Sequence, residues 1–128
     1  MNKAELKQRT KEFALRIIKL VNVLPKTSTG KTIGSQLIRS GTSVGANYRA
    51  ACRARSKNEF ISKLGIVIEE ADESSFWLEL IIESNLIKKE LIDLLLKEAN
   101  EITAIMFTSR ESAKKNNKLK SPTLNLIS

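Results

Sequence analysis

The side chains that could do chemistry are few, and each candidate lacks a partner that its chemistry requires. Ser28-Thr29-Gly30-Lys31-Thr32 has the glycine, lysine and hydroxyl order that closes a phosphate-binding P-loop, but Pro25 stands where that loop needs its first glycine. The residues before it also follow helical periodicity, and a P-loop must follow a strand. Glu69, Glu70, Asp72 and Glu73 crowd four carboxylates into five positions. Carboxylate-bridged metal pairs in helical bundles also draw on Glu-x-x-His elements, and the chain contains no histidine. That absence excludes histidine acid-base catalysis and leaves little zinc or transition-metal chemistry. Cys52, the single cysteine, stands beside Arg53 and Arg55, which would favour its thiolate, but a packed structural thiol is the better reading. The sequence therefore predicts no enzyme, no cofactor, no metal and no small-molecule substrate.

What remains is positive charge. The net charge is +8, unevenly spread: residues 1–25 carry +4, Lys26 to Lys57 holds seven basic residues and no acidic one, and residues 59–101 hold eleven acids against four lysines. Within the acid-free stretch, Arg39, Thr42, Ala46, Arg49 and Arg53 fall on one helical stripe, followed by Arg55 and Lys57. Salt bridges to the acidic segment would neutralise such a stripe; a polyanion would use it. Arginine at all three helical positions points to phosphate or carboxylate, which the guanidinium fork binds bidentately.

Four long segments with three- and four-residue apolar spacing must position these groups. The first runs from Lys3 to Leu24 with Leu6, Phe13, Ile17, Leu20, Val21 and Leu24 inward, and Pro25 stops it. The second runs from about Lys31 to Arg55 with Ile33, Leu37, Val44, Tyr48 and Ala51 inward. Ser56-Lys57-Asn58-Glu59 reads as a reciprocal capping box that starts the third at Lys57. This third helix turns Phe60, Leu64, Val67, Ala71, Leu78 and Ile82 inward and ends near Ser84-Asn85. The fourth runs from about Lys88 to Asn116, with Leu91, Leu95, Ile102, Ile105 and Met106 inward. The expected fold is all-α: an antiparallel up-and-down four-helix bundle over residues 1–117, followed by a disordered or partner-dependent basic tail over 118–128.

Two faces exceed what one bundle needs. On the second helix Gln36, Ser40, Ser43, Asn47, Ala50 and Ala54 are small or amide, while Gly41 and Gly45 suit close helix contact. On the third helix Ile66, Phe76, Trp77 and Leu80, with Glu69 and Glu73 among them, lie opposite the core stripe. An exposed apolar patch of that kind marks an interface. The expectation is a homo-oligomer with Ser43, Asn47, Ile66, Glu73, Phe76, Trp77 and Leu80 in its contacts.

The run Arg39-Ser40-Gly41-Thr42-Ser43-Val44-Gly45-Ala46-Asn47-Tyr48-Arg49-Ala50-Ala51, then Ser56-Lys57-Asn58-Glu59-Phe60 and Glu69-Glu70-Ala71-Asp72-Glu73-Ser74-Ser75-Phe76-Trp77-Leu78, resembles the bacterial four-helix bundle protein family. That family includes the proteins encoded in intervening sequences of large-subunit rRNA genes, and is similar to accessory proteins of diversity-generating retroelements. The resemblance covers roughly residues 5–112 and implies antiparallel bundles assembled into ring-shaped homopentamers. Many members have a glutamate shortly after the asparagine where this chain has Ala50-Ala51, and lack an arginine at the position of Arg49, so this helix is the more basic.

The reading is thus a bacterial, non-enzymatic oligomer whose Arg39, Arg49, Arg53, Arg55 and Lys57 bind RNA or another nucleic acid. The alternative is a scaffold docking an acidic protein partner, such as a reverse transcriptase that it accompanies. No apolar run reaches the roughly 18 residues of a membrane span, and the N-terminal residues are charged, so a cytoplasmic protein without membrane contact is expected.

Overall fold

Helix boundaries follow the capping chemistry. In the computed structural model the backbone is described over residues 1–119 and the side chains over 1–116. Asn2 caps α1 (Lys3–Asn22), its side-chain oxygen accepting from the Glu5 N–H at 2.8 Å. Thr27 caps α2 (Ser28–Cys52) in the same way, accepting from the Gly30 N–H at 3.1 Å. This cap starts α2 three residues before the Lys31 expected from the apolar pattern. Gly30 is required there, because a Cβ would overlap the Pro25 carbonyl oxygen.

Ser56 caps α3 (Lys57–Glu83), accepting from the Glu59 N–H at 3.1 Å. The return half of the expected box goes elsewhere: the Glu59 carboxylate accepts from the Arg55 N–H at 3.0 Å. The α3 terminus is sealed by Asn85, which takes the left-handed conformation with φ 57°.

A 3₁₀ turn, Lys89–Leu91, then precedes α4 (Asp93–Leu119). The turn corrects one core assignment. It shifts the phase by a residue, so Ile92 is wholly buried while Leu91, expected inward, is 67% exposed. On α3, similarly, Ile81 is buried and Ile82 only half so. The helix α4 runs through Leu119, and the rest of the 118–128 segment, expected to be a disordered or partner-dependent tail, lies outside the described residues.

The four helices pack up and down, each against the next in sequence. Leu37, Val44 and Tyr48 of α2 are buried with Phe13 and Ile17 of α1, Leu64, Val67 and Leu78 of α3, and Ile102 and Met106 of α4. Gly41 and Gly45 let α1 and α2 approach closely: a Cβ on Gly41 would lie 2.8 Å from Ile17 Cγ1, and one on Gly45 would lie 3.4 Å from the Thr10 carbonyl oxygen. On the other side, α2 and α3 meet over small polar groups, with the buried Ser40 and Ser74 hydroxyls 3.0 Å apart. The chain ends close the bundle through Arg9 of α1, bound to Glu98 and Glu101 of α4. Among the described residues no helix is long and apolar enough to cross a membrane.

Candidate nucleic-acid interface

Up-and-down packing brings the start of α1, the end of α2, the start of α3 and the end of α4 to one end of the bundle. Each carries positive charge there, so basic segments that are separate in sequence become neighbours. The exposed side chains of Lys3, Lys7 and Lys11 on α1 join Arg49 near the end of α2, Arg53 and Arg55 of the following turn, Lys57 at the start of α3, and Lys114 and Lys115 of α4.

Part of this surface is a groove of about 370 Å³ between α1 and α2. Lys7, Lys11 and Arg49 line it with Gln8 and Thr42, over a floor of Ala4, Ala14, Gly45 and Ala46. No carboxylate is among the lining residues. The close Gly45–Thr10 approach is what brings the two lysines within reach of Arg49. Thr42 does not offer its hydroxyl proton, which goes to the Ile38 carbonyl at 2.6 Å. Three cations around a small-residue floor can bind an anion of phosphate size, attracting it by charge without reading sequence.

The arginine stripe divides in two. Arg39 is tied to α3, its guanidinium bonded to Glu73 and, at 3.2 Å, to Glu70. Its charge is answered within the subunit. Arg49 and Arg53 are exposed and, among the described residues, have no ion pair. Sequence reasoning counted the +4 of the first helix but did not place Lys7 and Lys11 beside Arg49, because helix adjacency is a tertiary fact. The signal was present in their four-residue spacing, which puts both on one face.

Two other electrostatic features are structural. The Arg9 side chain holds the Glu98 carboxyl below its ordinary value, chiefly through their hydrogen bonds, with burial opposing. The Tyr48 hydroxyl is pushed up by burial first and by Cys52 second, so it stays neutral within the core.

The family model for the 23S rRNA-intervening sequence protein matches residues 2–108. The chain belongs to that family. Among solved structures similar to it is a protein with unknown function from the S23 ribosomal protein family of Bacteroides thetaiotaomicron VPI-5482. That chain is 35% identical with a TM-score of 0.80, and the match covers 87% of this chain and 99% of the other. No curated protein matches.

In this member of the 23S rRNA-intervening sequence protein family, the residues expected at an oligomer contact are unequal. Ile66 is 37% exposed and Phe76 is 50% exposed. Trp77 and Leu80 are not left bare: both pack against the core, and the Trp77 indole donates to Glu73 at 3.0 Å. Phe76 meets the Trp77 ring edge-on at 5.1 Å. Ser43 and Asn47 are half-buried and bonded along their own helix, Asn47 Nδ2 donating to the Ser43 Oγ at 2.8 Å. Ser40, also on the small face, is wholly buried against α3. A second apolar surface went unseen in the sequence: Val23, Leu91 and Leu94 are each more than 60% exposed and line one groove with Arg16 and Lys19.

Proposed function

We propose that the chain is a non-enzymatic, homo-oligomeric RNA-binding protein that holds phosphates along its basic end. The observation that carries this reading is the α1–α2 groove, where Lys7, Lys11 and Arg49 converge and no lining residue is acidic. Arg53, Arg55 and Lys57 extend the same charge around the end of the bundle, whereas Arg39, satisfied by α3, contributes less than its position on the stripe suggests. The family description, which places its members in the context of 23S rRNA intervening sequences, accords with an RNA partner.

Association of copies supports the same function. The resemblance to homopentameric bundles implies a ring, and a ring would repeat the basic end around its axis, raising avidity without any new contact. The exposed Ile66 and Phe76 are the α3 residues available for such a contact. Filter binding of a structured RNA across a salt series, with Arg49 and Arg53 changed to glutamine, tests the function. Weak, salt-insensitive retention unaffected by the substitutions would reject it.

A second reading, a scaffold for an acidic protein such as a reverse transcriptase partner, draws on the groove where Leu91 and Leu94 meet Arg16 and Lys19. Glu90 also lines it, and the two cations against that one carboxylate leave a net positive, apolar groove that suits an amphipathic acidic segment. Capture of one acidic protein that persists after nuclease treatment, with loss on Leu94→Glu, distinguishes it.

A further inference from the structure

We propose that a second, distinct pocket at the basic end seats one nucleotide of a single-stranded RNA, its phosphate held by Lys3, Arg55 and Lys57 and its base set against Phe60. The proposal rests on the RNA-binding reading above and names a different part of the surface. The pocket is a concavity of about 510 Å³ formed where all four helices end. A volume of that order suits a small organic ligand and is too small for a duplex.

Three observations point to a nucleotide. First, Lys3, Arg55 and Lys57 all line the pocket and no carboxylate does. The nearest acid in sequence, Glu59, is engaged by the Arg55 backbone N–H at 3.0 Å.

Second, the wall is apolar and partly aromatic. Phe60 is half-buried beside Ala51, Ala54 and Ala113, and the Lys3 ammonium lies over its ring, 5.0 Å from the centroid, so a base takes this face by displacing the flexible lysine toward its own phosphate. A cation and a flat apolar surface at one spot match the two ends of a nucleotide; a free inorganic anion would have no use for the wall.

Third, α4 presents unspent hydrogen-bonding groups here. Thr10, Thr42, Ser74 and Thr103 each donate to a carbonyl one turn back along their own helices. Thr108, Ser112 and Asn116 line the pocket and have no such bond among the described residues. They are free to meet ribose hydroxyls, the groups that mark RNA against DNA.

The test is fluorescence anisotropy on the full-length protein with two labelled probes, an eight-nucleotide single-stranded RNA and a sixteen-base-pair RNA duplex. Phe60→Leu is the first variant. Ser112→Ala, at an exposed position where folding is not at stake, is the second. The expected result is single-strand affinity about tenfold weaker in Phe60→Leu and about threefold weaker in Ser112→Ala, with duplex affinity unchanged. Single-strand binding unchanged in both variants overturns the pocket while duplex binding leaves the general RNA reading standing. An equal loss on both probes also overturns it, since that reports charge or fold and not a nucleotide seat. If the unaltered protein binds neither probe, both readings fall.

Discussion

Arg9 on α1 and Glu98 on α4 form a two-pronged ion pair, Nε and Nη2 each 2.7 Å from a carboxylate oxygen, that ties the first helix to the last. Arg9 also reaches Glu101 at 2.9 Å. The pair is well shielded, with side-chain exposures of 22% and 15%, and so is worth more than a surface salt bridge. It joins the two helices that are adjacent in space but not in sequence, closing the α1–α4 seam, the least extensive of the four helix contacts.

Glu98→Gln is therefore expected to cost about 1–2 kcal/mol in urea unfolding, because it leaves the buried part of the Arg9 guanidinium underpaired. Its pH dependence has a defined sign. The Glu98 carboxyl is held below its ordinary value of 4.5, so its contribution is fully present above that value and is lost as pH falls through the depressed one. The stability gap between the original chain and Glu98→Gln should be constant from pH 6 to 8 and shrink on acidification below about pH 4.5. A gap that widens in acid would contradict the assignment.

The glycines on α2 make a second test. Replacing glycine by alanine inside a helix ordinarily stabilises by about 1 kcal/mol. At Gly41 a Cβ would lie 2.8 Å from Ile17 Cγ1, so Gly41→Ala should instead destabilise by about 1–3 kcal/mol. Pairing it with Ile17→Val, which trims the opposing side chain, should return part of the loss. Thermal unfolding of the two single variants and the double variant measures this coupling.

How far the sequence could be read is clear from particular residues. Apolar spacing identifies all four helices, and the hydroxyl of Ser56 and the amide of Asn85 mark real termini, because capping is local chemistry. Leu91 was misplaced because a 3₁₀ turn breaks the periodicity between Lys89 and Asp93, and periodicity cannot see a phase change that it does not itself encode. The fate of the arginines was not legible either. Arg39 and Arg49 lie on the same stripe, yet only Arg39 has Glu70 and Glu73 opposite it, and Arg49 has Lys7 and Lys11. Which charges cancel and which accumulate depends on the neighbour each helix turn meets.

That division predicts opposite phenotypes for two similar substitutions. Arg39→Gln should leave RNA affinity within about twofold while altering stability slightly, since it removes an exposed ion pair worth about 1 kcal/mol or less. Arg49→Gln should weaken RNA binding without reducing stability. Equal effects of the two on RNA affinity would show that the α3 carboxylates do not neutralise Arg39.

Association should depend on exposed apolar side chains. Phe76 is half exposed on α3. Phe76→Glu places a charge there and should lower the sedimentation coefficient toward that of the monomer at micromolar concentration, with the helical circular dichroism intact. Monomeric behaviour of the unaltered chain under those conditions would remove the oligomer from the account.

The most direct test of the basic surface is the slope of RNA affinity against salt. Each phosphate neutralised contributes about 0.7 to 0.9 to the slope of log K on log salt concentration. Changing Lys7, Lys11 and Arg49 together to glutamine should therefore flatten the slope by about 2 to 3 and weaken binding at low salt by at least tenfold. A slope and affinity equal to those of the unaltered protein would contradict the claim that this groove holds RNA.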